Sequence, residues 1–139
     1  MQEVRIEEEL YQRIEMDGLT RTIKRFFGAG TVIQLPFSES ACNTQIEVLG
    51  LSTRSYNCLK RAGINTVSGV VGAMMEDRLW AIRSLGRRSI AEIHVSIYEF
   101  GYNSLTERGR KDFIKRLLES NQDKIDFSGK GETDCGLES

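Results

Sequence analysis

Two clusters in the middle of this chain have the residue types and spacing to hold an anion and the edge of a base. The first lies in Leu51-Ser52-Thr53-Arg54-Ser55-Tyr56-Asn57-Cys58-Leu59-Lys60. Written as a helix, it puts Arg54, Asn57 and Arg61 three or four residues apart on one face, while Leu59 and Cys58 turn towards a core. A guanidinium beside an amide can address a phosphate and a base edge together. The second cluster is Ser84-Leu85-Gly86-Arg87-Arg88-Ser89-Ile90-Ala91-Glu92-Ile93. Leu85-Gly86 reads as a tight turn between two helices, where glycine lets a backbone approach a ligand closely. The unpaired amides that open the following helix favour an anion. Arg87 and Arg88 add positive charge to that seat, and Ser89 adds a hydroxyl donor.

These groups suit binding rather than bond-breaking. His94 is the sole histidine, and no paired carboxylates or metal-ligand spacings accompany it, so we expect a non-enzymatic protein with no cofactor and no metal. Cys42, Cys58 and Cys135 form neither a CxxC pair nor an even disulfide framework, and reduced thiols are expected. The formal net charge of −1 speaks against nucleic acid only if the charge is spread evenly. It is not: residues 46–104 carry seven basic and five acidic side chains, whereas residues 1–45 carry five and seven, and residues 105–139 carry seven and eight. Only the middle segment is net positive.

Several short helices must position the two clusters. Ser52 is placed to cap a helix over Thr53–Ala62, which Gly63 would end in the left-handed conformation. Thr66 is placed to cap a second helix, from Val67 to about Met74. Glu76 and Asp77 suit the positive end of a third, over Glu76–Arg83. After Gly86 the spacing of Ile90, Ile93 and Ile97 predicts a longer helix to Phe100, ending at Gly101. Trp80 is expected as a core or half-buried packing residue.

Flanking this middle, Ile6, Leu10 and Ile14, then Leu19, Ile23, Phe26 and Phe27, predict one or two amphipathic helices broken near Asp17-Gly18. Thr31-Val32-Ile33-Gln34-Leu35-Pro36-Phe37 reads as a short extended piece, and the polar stretch Ser38–Gln45 as a linker. Ser104 and Glu107 form a candidate capping box for a last helix through Glu119, with Phe113, Ile114, Leu117 and Leu118 on its apolar stripe. Beyond Asn121 the tail lacks the apolar density to order itself. The expected boundaries are therefore 1–45 for a helical extension and linker, 46–105 for the binding domain, 106–120 for a C-terminal helix and 121–139 for a disordered tail. The acidic start lacks a secretory signal and no run is apolar enough to span a membrane, so a cytoplasmic protein is expected.

The run Arg-Ser-x-Asn-Cys-Leu-Lys, followed about 25 residues later by Leu-Gly-Arg-Arg-Ser-Ile-x-Glu-Ile, resembles the C-terminal domain of the bacterial RNA polymerase α subunit. With the intervening helices the likeness covers about Ile46–Leu105. It implies an all-α, compact bundle of short helices with helix-hairpin-helix motifs. It also implies binding to the minor groove of A·T-rich promoter DNA and docking on σ factor, a transcription activator or the polymerase itself. In that family pattern Arg54 enters the minor groove, Asn57 and Lys60 assist from the same helix, and Gly86, Arg88, Ser89 and Glu92 line a second contact, with groove width rather than a base code supplying the preference. Forty-five residues leave no room for the amino-terminal assembly domain of an α subunit, so a stand-alone protein is expected. Glu47 alone stands where the family carries an acidic patch for σ. Tyr56 is bulkier than the small residue usual beside the arginine, and either adds a stacking or wedge contact or partly obstructs the groove. The alternative function is a protein-interaction module for which DNA binding is incidental.

Overall fold

A computed structural model describes residues 2–28, 31, 33 and 35–122, with side chains from residue 6 onward. Val32 and Gln34 of the expected extended piece, Cys135 and the rest of the tail beyond residue 122 lie outside the described residues. Among those described are seven α-helices and no strand: α1 (Gln2–Asp17), α2 (Leu19–Phe26), α3 (Glu39–Cys42), α4 (Thr53–Arg61), α5 (Val67–Met75), α6 (Arg87–Asn103) and α7 (Glu107–Ser120). The class is all-α, as expected. None of these helices is long and apolar enough to cross a membrane.

The protein divides into two compact units, one built from Met1–Pro36 with Leu105–Ser139 and the other from Phe37–Ser104. In the first, α1 packs against both α2 and α7. Gly18, at φ 94°, makes the break between α1 and α2 that a residue with a side chain resists. Leu10 and Ile14 of α1, Leu19 and Ile23 of α2, and Phe113, Ile114, Leu117 and Leu118 of α7 are buried. Arg110 of α7 donates to both carboxylate oxygens of Glu15 at 3.2 Å, which fixes the register of α7 on α1. The cap of α7 differs from the expected capping box. Thr106 accepts from the Gly109 amide, while the Ser104 hydroxyl donates to the Phe100 carbonyl at 2.7 Å and closes α6. A serine that can reach back to the preceding helix is no longer available to cap the next one.

The second unit has one core, made chiefly of Ile46, Leu59, Val67, Val70, Leu79, Ile93 and Ile97. Its helix α4 ends as the sequence predicts. Gly63 at φ 81° donates to the Lys60 carbonyl and Ile64 to that of Leu59, the paired bonds of a Schellman motif. The polar stretch expected as a linker is folded instead. Ser38 caps α3, and the backbone of Thr44 and Ile46 pairs with Val67 and Asn65 beside the start of α5.

The helix expected over Glu76–Arg83 is absent. Asp77 adopts φ 55°, donating to Met74 while Arg78 donates to Ala73, so the two acidic positions terminate α5 rather than start a new helix. Asp is one of the few residues with a side chain that tolerates this conformation. Only a 3₁₀ turn, Leu79–Ala81, follows. Conversely, α6 runs past Gly101 to Asn103. A helical glycine costs about 0.5–1 kcal/mol, less than the about 1.5–3 kcal/mol gained by burying a large side chain, and Tyr102 just beyond it is 1% exposed.

Candidate nucleic-acid interface

Arg54 is fixed by the way its helix begins. Ser52 accepts from the Ser55 amide at 3.3 Å, capping α4, so Arg54 sits in the first turn with its side chain exposed. A carboxylate from α6 then holds that turn. Glu92 accepts from the Ser52 amide at 2.6 Å, from the Ser52 hydroxyl at 2.9 Å and from the Ser55 hydroxyl at 2.6 Å. Ser55 is completely buried. Partial burial alone would raise the Glu92 carboxyl, but the bonds from Ser55 and Ser52 outweigh it and hold the group below its ordinary range.

The second cluster is shaped by a residue other than the one the sequence singles out. Ser84, at φ 69°, takes the left-handed position of the turn, whereas Gly86 is extended at φ −90° and ψ −179°. Leu85 is buried and anchors the turn. Gly86 occupies the cap position of α6 and supplies no side chain, and the first bond of the helix runs from Ile90 back to the Gly86 carbonyl. The amides of Arg87, Arg88 and Ser89 are therefore left for an outside acceptor. A Cβ on Gly86 would meet nothing within 4 Å, so the protein itself does not require glycine there.

Both clusters line one groove within the Phe37–Ser104 unit. Its walls carry Arg54, Gly86, Arg87, Arg88, Ser89 and Glu92, together with Ser52, Ser84, Leu85, Ile82 and Trp80. Arg54, Arg87 and Arg88 have no carboxylate within ion-pair distance among the described residues. The positive charge of the groove is thus unneutralised, apart from Glu92, which is turned onto Ser52 and Ser55.

Two of the expected contacts stand apart from this groove. Asn57 is exposed one turn further along α4 and is not among the lining residues. Lys60 lies 3.7 Å from Glu47 and 5.6 Å from the centre of the Tyr56 ring. The Tyr56 hydroxyl donates to the same Glu47 carboxylate at 2.6 Å. That bond and the Glu47 backbone amide, with Lys60 adding to them, hold the Glu47 carboxyl below its usual range, while the Tyr56 phenol is raised. Tyr56 is half-buried and is not among the residues that line the groove.

Trp80 is the clearest departure from the expected packing, since it is 58% exposed and stands on the groove. His94 is half-buried with its ring edge-on to Tyr98, and burial lowers its pKa against an opposing pull from Asp77. Cys58 is in the core and carries a free thiol. Among the described residues no cluster of histidine, cysteine or carboxylate side chains could hold a metal ion.

Comparison with known proteins finds relatives for the segment that carries this groove. Residues 37–99 match the family model for the C-terminal domain of the bacterial RNA polymerase alpha subunit. A DNA-directed RNA polymerase subunit alpha from Clostridium perfringens is 49% identical over 65 residues, 47% of this protein and 20% of the relative. The subunits of the same name from Oceanobacillus iheyensis and Bacillus velezensis are each 48% identical over 63 residues, 45% of this protein and 20% of the relative. The likeness thus spans about one fifth of the length of these relatives. No solved structure matches the protein. The segment from residue 37 to residue 99, which carries the two clusters and their helices, is thus similar to the C-terminal domains of bacterial RNA polymerase α subunits.

Proposed function

We propose that the Phe37–Ser104 unit is a DNA-binding module connected with transcription, and that it engages the minor groove of A·T-rich duplexes weakly. The observation that carries this reading is the convergence of Arg54, Arg87 and Arg88 with the open amides of α6 on one groove, with no acidic partner for the arginines among the described residues. Arg54 enters the minor groove, whose negative potential is greatest where A·T tracts narrow it. The Gly86–Ser89 turn holds a phosphate of the flanking strand. Asn57 and Lys60 contribute less, the first because it lies outside the groove and the second because Glu47 competes for its charge. Glu92 acts as a positioning residue, locking the first turn of α4 to α6.

Three cationic contacts give a log–log salt slope near −3 and a dissociation constant in the micromolar range or weaker. Tethering or a second copy would be needed for tight binding. The test is a titration of A·T-rich against G·C-rich duplexes at two salt concentrations. Preference for the A·T-rich duplex, lost in Arg54→Ala, supports the reading; undiminished binding by that variant refutes it.

A second reading is that the unit docks on RNA polymerase, σ factor or an activator. It draws on the relatives, which are polymerase subunits by name, and on the small number of unpaired cations. Retention of polymerase by the protein after nuclease treatment favours this reading.

A further inference from the structure

Anion chemistry does not account for one residue of the groove. Trp80 is the only tryptophan of the protein and is 58% exposed. It rides on the 3₁₀ turn Leu79–Ala81, whose Leu79 is 2% exposed and anchors it from beneath. Backbone bonds fix the turn on both sides, from Arg78 to the Ala73 carbonyl at 2.8 Å and from Leu85 to that of Ile82 at 3.2 Å. The indole N–H has no acceptor among the described residues. The half-buried Ile82, the buried Leu85 and the three arginines without a carboxylate partner among the described residues line the same groove.

An exposed ring that shares a groove with further apolar side chains and a rim of polar and cationic ones is the kind of patch that marks a ligand-binding surface. The ligand must also satisfy three guanidinium groups and the first-turn amides of α6. An apolar partner helix would leave those cations unpaired and desolvated. A nucleic-acid strand meets both demands, because each anionic phosphate is followed by the largely apolar face of a sugar. We propose that Trp80, backed by Ile82, packs against the deoxyribose next to the phosphate held by Arg87, Arg88 and the α6 amides. The proposal rests on the DNA-binding reading above and adds an apolar contact to it. That contact strengthens binding without adding charge.

The absence of any other tryptophan makes the test direct. The full-length protein is titrated with an A·T-rich duplex carrying a fluorescent label, so that duplex anisotropy and tryptophan emission are followed together at several salt concentrations. The expected result is a change in Trp80 emission along the same isotherm as the anisotropy. Trp80→Ala is expected to weaken binding about fivefold to tenfold, as for other aromatic contacts with nucleic acid, and Trp80→Phe less. Neither variant changes the salt slope, whereas Arg87→Ala lowers it by about 0.9.

Unchanged emission at saturation, or wild-type affinity in Trp80→Ala, overturns the proposal while leaving the DNA-binding reading intact. Absence of duplex binding by the wild-type protein overturns both. Tighter binding to a single strand than to the duplex overturns it in favour of base stacking. An emission change on adding RNA polymerase but not DNA overturns it in favour of protein docking.

Discussion

Glu92 offers the sharpest test of how the site is held together, because one carboxylate on α6 secures the helix start that carries Arg54. Glu92→Gln keeps the shape of the side chain and removes its charge. Hydrogen bonds to a charged group contribute about 1.5–3 kcal/mol each when isolated, and three on one carboxylate are far from additive. One donor, the Ser55 hydroxyl, is completely buried, while Ser52 is exposed and can turn to water. We therefore expect a loss of about 2 kcal/mol, a large fraction of the roughly 5 kcal/mol available to a domain of this size. That corresponds to a fall of about 10 °C or more in the melting temperature of the Phe37–Ser104 unit.

The pH dependence has a definite sign. The Glu92 carboxyl is held below its ordinary value of 4.5 in the folded state. Its stabilisation is therefore fully present above the unfolded pKa and is lost as pH falls through the folded one. Thermal melts of the wild type and Glu92→Gln should differ most at pH 7 and converge in acid. Because the hydroxyl is costly only when left without its partner, Ser55→Ala combined with Glu92→Gln should lose less than the two single changes added together, by about 1 kcal/mol. A Glu92→Gln variant that melts with the wild type at pH 7, or additive single and double variants, would refute the clasp.

Gly86→Ala should leave the melting temperature nearly unchanged, since the extended backbone at Gly86 accepts any residue and the added Cβ meets nothing within 4 Å. If the turn seats a phosphate against the backbone, duplex affinity should fall about tenfold; equal affinity would show that nothing approaches there. Glu47→Gln should release Lys60 and the Tyr56 phenol together. Duplex affinity should then rise with a salt slope steeper by up to about 0.9, and the phenol pKa, followed by ultraviolet absorbance, should drop towards its ordinary value. An unchanged slope would mean that Lys60 stays out of reach of DNA even when unpaired.

Legibility in the sequence followed the range of the interactions involved. Ser52, Thr66 and Gly63 could be assigned because caps and left-handed stops are settled within three to five residues, and each bond that confirms them is that short. The same locality misled at Glu76-Asp77 and Ser104. There two readings of equal local merit existed, and the anchoring of Leu79 and the reach of Ser104 to Phe100 decided between them. Nor did local pattern show that Ser84 takes the strained position of the second turn, since glycine two residues later was the obvious candidate.

The hardest feature to foresee was the bond between Glu92 and Ser52 and Ser55, which spans 37 to 40 residues and closes only when α4 and α6 pack together. Read as part of a motif, Glu92 invites the inference that it meets the ligand, but a carboxylate beside phosphates would repel them. Turned onto two serines, it ties the arginine of one cluster to the turn of the other, and the two halves of the site become one surface. Trp80 is likewise placed by structure that its residue type does not announce. Once Glu76 and Asp77 end α5, only the 3₁₀ turn Leu79–Ala81 forms before α6, and it gives the core Leu79 rather than Trp80. Glu92, expected from the family motif to line the contact, is also tied to the first turn of α4, and Trp80, expected as packing, stands exposed on the groove; both positions were set by tertiary contacts that residue type does not reveal.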